Sequence, residues 1–386
     1  MLLVLPVPAR GGAEEYALTI GRAALARGWG VEALIPRAPN TATLRDDFSA
    51  AGIAHSDLTP VDRLARDDPE PSTLTKLRAV AGFGHVTRRF QPDVVHIVLP
   101  WPTFAYPFVL ATALLSLPTV ATFQLVPETG PFVRRRRRLV YRWARSRRQQ
   151  WIAVSNHGRR RVGALYRMDP AGIRVIYNGV PGISLPPLGT DRERVRASVR
   201  AELGLPTETT IVLALGRLHP QKGYGDLICA AAGISAERPD VRVVIAGDGP
   251  ERERLEELTS ALGVADVVRL LGHRADAGRL MDAADLFAFP SHLEGTPFAL
   301  LEAMTHGLPV IAAAFGGAGE IVDHDRTGIL VPVARPDALR MAVLQALGDP
   351  ERLSHLAAAG RERASAFSQD VMIASTLQEL ERVGTS

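Results

Sequence analysis

A chain of 386 residues, 46% hydrophobic and 22% charged, is long enough for two globular units with separate cores and too apolar to be a disordered segment. Its single cysteine, Cys229, excludes an intramolecular disulfide, and Met1 runs into an apolar strand-like segment without a basic leader or a small-residue cleavage site, so the expected compartment is the cytoplasm. The net charge of +4 conceals a local excess: nine arginines and no acid lie between Arg134 and Arg148, and without them the balance would be −5.

Residues 2–7 read as a buried strand, followed by a loop through Gly11 and Gly12, a helix over about 13–27 and a second strand at 31–35. This run opens an α/β domain, and the glycine pair lets backbone approach a ligand at the carboxyl end of the first strand. From Val94 to Val126 the sole acid or base is His96, a length that raises the question of a membrane span. Pro100, Pro102, Pro107 and Pro118 divide it instead into a strand (93–99), a helix (about 103–116) and a strand (119–124), the pattern of a buried parallel sheet. His96 and Gln124 then fall at or near the ends of adjacent strands, on the edge that would face a second half. A satisfied strand-end histidine is the plainer reading of His96, and an acceptor-side role the sharper one.

The segment between Arg134 and Arg148 interleaves Leu139, Val140, Tyr141 and Trp143 with its cations. A solvated helix face accounts for it, and so does adhesion to an anionic membrane surface. Nucleic acid is the weakest partner, because no stacking platform or nucleic-acid motif accompanies the charge. Strand-like segments at 151–154 and 174–177 precede residues 178–189, rich in Pro and Gly, which read as an interdomain linker. The expected division is a domain over 1–180, a second over 181–367, and a final helix at 368–386 packing back toward the first.

After a charged helix (191–203), a strand (211–216), a loop, a helix to about 236 and a strand (241–246) repeat the plan of the amino terminus. Strands near 267–271, 286–289, 310–314 and 329–333 and helices at 336–347, 350–367 and 368–383 complete the chain. Arg217 and Lys222 flank the loop between the first strand of this half and its helix, so two cations and free helix N–H groups can converge on a diphosphate. Exposed surface cations are the bland alternative.

Farther on, Glu294 and Glu302 stand eight positions apart across a loop-to-helix junction with Thr296 as N-cap, Pro297 at the first helical position and Gly307 at the end. Eight residues at the helical rise cover roughly 12 Å, about the length of a sugar joined through a diphosphate to a ribose. Otherwise Glu302 meets a core arginine and Glu294 is a solvated loop residue. Gly247-Asp248-Gly249-Pro250 is no nicotinamide fingerprint, since Arg252 stands where a small residue is needed. Gly316-Gly317 brings backbone near a ligand or simply makes a turn. No metal motif is present, so the protein's own cations would have to neutralise a leaving diphosphate. His55, His85, His157 and His292 have no recognisable partners and read as structural or surface residues.

Taken in order, Gly11-Gly12-Ala13-Glu14, Val154-Ser155, Tyr177-Asn178-Gly179-Val180, Gly216-Arg217-Leu218 with Lys222-Gly223, Ala246-Gly247-Asp248-Gly249-Pro250, Glu294 with Glu302, and Gly316-Gly317 with Glu320 resemble the GT-B retaining glycosyltransferases of family 4. The resemblance implies two Rossmann-like α/β domains facing each other across a cleft, a UDP- or GDP-sugar donor held mainly by the second half, an acceptor held mainly by the first, and no metal. Arg217 and Lys222 would hold the diphosphate, Glu302 the ribose hydroxyls and Glu294 the transferred sugar. Gly295, Thr296, Pro297 and Phe298 would line sugar and phosphate, the backbone of Gly272 and His273 would meet the base, and Gly11 and Gly12 would bring the first loop to the diphosphate. The family often has a histidine where Gln124 stands, placed to contact the sugar; glutamine donates and accepts but cannot become a cation. Two other classes stay open: a catalytically silent nucleotide-sugar-binding partner, and another GT-B activity such as an epimerase or phosphorylase.

Overall fold

A computed structural model describes residues 1–6, 10–38, 41–58, 73–102, 106–127, 135–182 and 190–385. The expected loop residues 7–9, the helix start at 103–105, Arg134, and most of the expected linker, 183–189, lie outside the described residues. The chain divides into two compact units, one of Met1–Asn178 with Asp370–Ser386 and the other of Gly179–Gln369.

The first unit is built on strands β1 (Leu2–Val4), β2 (Glu32–Pro36), β3 (Ala54–Leu58), β4 (Val95–Leu99), β5 (Thr119–Phe123), β6 (Gln149–Ala153) and β7 (Arg174–Val175). Helices α1 (Gly12–Ala26), α2 (Ala42–Ala50), α3 (Thr73–Phe90), α4 (Tyr106–Leu114), α5 (Arg135–Arg145) and α6 (Asn156–Tyr166) connect them in turn. Among the described residues the strands form one parallel sheet in the order β3-β2-β1-β4-β5-β6-β7. Every residue of β4 and β5 is buried, as a parallel sheet covered on both faces requires. This is why the long apolar stretch is core and not a membrane span.

The arginine-rich segment becomes α5, whose inner face is fixed by Tyr141. Its ring stacks on Tyr166 at 4.4 Å, and both hydroxyls donate to the Pro102 carbonyl, at 2.9 and 3.0 Å. Buried hydroxyls are thereby satisfied within an aromatic cluster that includes Trp151 and Phe123.

His96 departs from expectation. It is the second residue of β4, in register with Leu3 and Val120, whereas Gln124 follows the far end of β5. In parallel strands that separates them by several residues along the sheet, so they do not share an edge. His96 is fully buried, with Nε2 3.0 Å from the Thr122 hydroxyl and the ring edge-on to Tyr16.

The second unit carries α7 (Thr190–Glu202), β8 (Thr210–Leu215), α8 (Tyr224–Glu237), β9 (Val241–Ala246), α9 (Arg252–Ala261), β10 (Val268–Leu270), α10 (Ala277–Ala283) and β11 (Leu286–Phe289). It continues with α11 (Phe298–Thr305), β12 (Val310–Ala313), α12 (Ala318–Ile321), β13 (Ile329–Val331), α13 (Pro336–Leu347) and α14 (Pro350–Ala364). Its strands are parallel in the order β10-β9-β8-β11-β12-β13. The sequence pattern misses α9, α10 and α12. In α9 only Leu255 and Thr259 are buried, and the other two are short, so none offers a long apolar stripe.

A last helix, α15 (Gln369–Gly384), belongs to the first unit. Thr376 meets the Tyr16 hydroxyl at 3.2 Å, and the buried Glu379 pairs with Arg174 at 3.0 Å and Arg382 at 2.8 Å.

Burial pushes the His96 imidazole down to about 3, so the native chain holds it neutral. The unfolded chain protonates near pH 6.5, and it alone gains that proton between pH 6.5 and 3. Stability is therefore expected to fall as pH drops through this window, by about 2 kcal/mol at pH 5 from this group. Denaturant unfolding at pH 7.5 and 5.0 should show a shallower loss for His96→Leu than for the parent; equal slopes would place the acid sensitivity elsewhere.

Candidate functional site

In the second unit the chain runs outward from β8 in opposite directions: β9 and β10 lie on one side, β11 to β13 on the other. Loops leaving the carboxyl ends of β8 and β11 must therefore part, and the crevice between them is where such sheets take ligands. The β8 loop carries Arg217 and Lys222, and the β11 loop carries Glu294. Parallel strand direction thus delivers to one edge residues that are far apart in the chain.

Lys222 Nζ lies 2.7 Å from Glu294 Oε1, with side-chain exposures of 20% and 12%. The ammonium also stands 5.5 Å from the centre of the Phe289 ring. Arg217 is exposed, and no ion pair holds it among the described residues. Burial, with a smaller contribution from the Glu294 carboxylate, pushes the Tyr224 hydroxyl well above its ordinary range and keeps it neutral.

The two loops are fastened to each other. The His292 N–H donates to the Gln221 carbonyl at 2.8 Å, and Gln221 Nε2 donates to the Leu293 carbonyl at 2.6 Å. His292 Nε2 sits 2.6 Å from Asp226 Oδ2 in the first turn of α8. The expectation that His292 lacks a partner is therefore wrong; its partner lies 66 positions away and leaves no local pattern. His55 likewise has one, with Nε2 3.0 Å from the Ser49 hydroxyl. Asp226, Gln221 and Phe289 were not singled out from the sequence, because nothing in their spacing shows which loops touch.

Gly295, Thr296 and Pro297 are buried after Glu294, and Phe298 begins α11 half-buried. Pro297 is the residue before the helix, extended at φ −76° and ψ 123°, so α11 starts one position later than expected. Its amino terminus has no side-chain cap and leaves N–H groups for a ligand. Glu302 lies half-buried within α11. The Ser291 hydroxyl is buried without a hydrogen-bond partner among the described residues.

Gly272 and His273 follow β10, and the Gly247 N–H donates to the Gly272 carbonyl at 2.8 Å, joining that turn to the β9 loop. Gly316 and Gly317 follow β12, with Gly317 preceding α12. All these positions lie beyond carboxyl ends of the same sheet.

In the first unit Gly11 and Gly12 open α1 beyond β1. Gln124 is buried just past β5, and its Oε1 accepts from Asn178 Nδ2 at 2.9 Å. Its Nε2 is buried with no partner among the described residues. An unmet buried donor is costly and is available to a substrate oxygen. Among the described residues no group of three or more His, Cys, Asp or Glu is placed to hold a metal ion.

A doubly wound sheet with a cation–carboxylate pair at its switch point stands here in one chain with a second parallel-sheet unit, the class of protein built from two Rossmann-like α/β units. The chain belongs to glycosyltransferase family 4: the family model "Glycosyltransferase Family 4" matches residues 10–181 and the model "Glycosyl transferases group 1" residues 195–363. It is similar to the D-inositol 3-phosphate glycosyltransferase of Segniliparus rotundus, 34% identical over 209 residues, or 53% of this chain and 45% of that protein. The chain spans about half the length of the curated relatives it matches.

Among solved structures it resembles Anabaena HepE in complex with UDP, with a TM-score of 0.80, 22% identity and 99% of each chain covered. HepE has also been solved with UDP-glucose. Sucrose-phosphate synthase from Thermosynechococcus elongatus gives a TM-score of 0.76 at 22% identity, over 99% of this chain and 98% of that one. These likenesses establish the GT-B fold.

Gly223, between Lys222 and α8, has φ +67°, and a Cβ there would lie 2.2 Å from the Pro290 carbonyl oxygen. Gly263, at φ +66°, has nothing within 4 Å of the same added atom. Both alanine variants bear the backbone strain of about 1–3 kcal/mol, but only Gly223→Ala also drives the two loops apart. Thermal unfolding should show Gly223→Ala as the more destabilised; equal losses would mean the loops yield freely.

Proposed function

We propose that the chain is a retaining glycosyltransferase that moves a hexosyl group from a UDP- or GDP-sugar to an acceptor hydroxyl without a metal ion. The observation that carries this reading is the Lys222–Glu294 pair at the switch point with the exposed Arg217 on the same loop. A diphosphate needs cations and a sugar needs a hydrogen-bond acceptor, and the site offers both side by side. As the bond between sugar and phosphate breaks, negative charge grows on the departing oxygen, so fixed cations favour the transition state over the bound donor. Retention follows if the acceptor attacks from the face the diphosphate leaves. UDP in HepE makes uridine the first base to test.

Gln124 bears on the sugar. Held through Asn178, it presents an uncharged amide where the family often has histidine. We read this as altered donor preference. Donor binding with no transfer from a broad nucleotide-sugar panel would favour a silent binding protein.

Purified protein is expected to be thermally stabilised by UDP or GDP and by the cognate sugar; a ligand at 100 times its Kd adds about 2.7 kcal/mol. With that donor saturating, Arg217→Ala should cut kcat by roughly a hundredfold or more, and parent turnover should survive EDTA. Near-normal kcat in the variant removes Arg217 from the chemistry.

The acceptor side includes a proposed anionic membrane surface. On α5, Leu139 and Trp143 are 56% and 40% exposed beside the exposed Arg142 and Arg147, and Leu114 at the end of α4 is 58% exposed. Apolar groups set among cations suit an anionic lipid headgroup layer. No helix among the described residues is long and apolar enough to cross a membrane. Flotation with phosphatidylglycerol vesicles should fall with added salt and on replacing Arg142, Arg147 and Arg148 by Gln. Unchanged flotation in that variant would make the patch ordinary surface.

A further inference from the structure

The two cations of the β8 loop are unequal. Arg217 is exposed and free of ion pairs among the described residues, whereas Lys222 is neutralised by a carboxylate 2.7 Å away, both groups being mostly withdrawn from water. The pair is not a chance meeting of long side chains. The backbone contact between His292 and Gln221, the Gln221–Leu293 bond and the His292–Asp226 pair hold the loops that bear it.

We propose that Glu294 withholds Lys222 from a bare nucleoside diphosphate and yields it when a sugar is attached, so that the site discriminates a nucleoside diphosphate sugar from the nucleoside diphosphate alone. This rests on the donor reading above. A bare diphosphate that seeks Lys222 must displace the Glu294 carboxylate from the same ammonium, and breaking that mostly buried pair without giving the carboxylate a new partner costs affinity. A hexose brings hydroxyl donors. Bonded to Glu294, they satisfy the carboxylate and draw it from Lys222, and the ammonium becomes free to serve the phosphate.

Sugar recognition and diphosphate recognition are then linked, and linkage is reciprocal: what the sugar does for phosphate binding, the phosphate does for sugar binding. The same competition acts after transfer. Once the sugar has moved to the acceptor, Glu294 loses its hydroxyl partners, recovers Lys222 and weakens the hold on the diphosphate product. Arg217 has no such competitor and contributes to both ligands alike.

The test is calorimetric binding of UDP against UDP-glucose, run in parallel with GDP against GDP-mannose. Glu294→Gln keeps the shape and removes the charge. It should tighten the bare diphosphate by at least about fivefold, the low end of ordinary coupling between sites, while leaving the sugar ester unchanged or weaker. In a Lys222→Met background the gain should shrink toward none, because no ammonium remains to compete for. Thermal unfolding of each variant without ligand checks that it is folded.

A parent that binds neither ligand pair overturns the donor reading and this proposal with it. A parent that binds both ligands of a pair, with Glu294→Gln leaving the bare diphosphate no tighter, overturns this proposal alone. A gain that persists undiminished in Lys222→Met also overturns it, since the effect would then be simple repulsion.

Discussion

Lys222 and Glu294 meet because β8 and β11 are neighbouring parallel strands whose loops leave the same end of the sheet and are tied together there. Each charge meets its counterion where both side chains are mostly withdrawn from water, and backbone and side-chain bonds fasten the two loops to each other. The chemistry of the site is thus a consequence of strand order. Reversing the side to which β11 is added would leave the same residues in the chain and no site.

That constraint also explains which parts of the molecule were legible. Strands such as Val241–Ala246 and Leu286–Phe289 coincide with their expected bounds, because a strand buried on both faces is a short unbroken apolar run. Helices α13 and α15 were visible for a related reason, a proline or polar start ahead of a periodic apolar stripe. The mostly polar α9 was not.

The motif residues of the second half do gather at one sheet edge, yet the bonds that fix them were not readable. Lys222 and Glu294 are 72 positions apart, and the His292–Asp226 pair that braces them depends on two loops touching. For His96 it was the position that was misjudged: both readings put it at a strand end facing the second half, whereas it lies near the start of β4, deep in the core, with Nε2 at the Thr122 hydroxyl and its ring edge-on to Tyr16. Gln124, whose amide nitrogen is buried with no partner among the described residues, lies instead past the end of the neighbouring strand.

The return of α15 makes the first unit discontinuous in the chain. The chain leaves the second unit next to where it entered: the Val180 N–H donates to the Phe367 carbonyl at 3.0 Å, and the Gln369 N–H to the Val180 carbonyl at 2.9 Å. The second unit is therefore an insertion with adjoining ends. The first unit, in contrast, is discontinuous: Thr376 against Tyr16 and Glu379 against Arg174 join its ends from either side of the insertion. It cannot be complete until the last helix of the chain has docked.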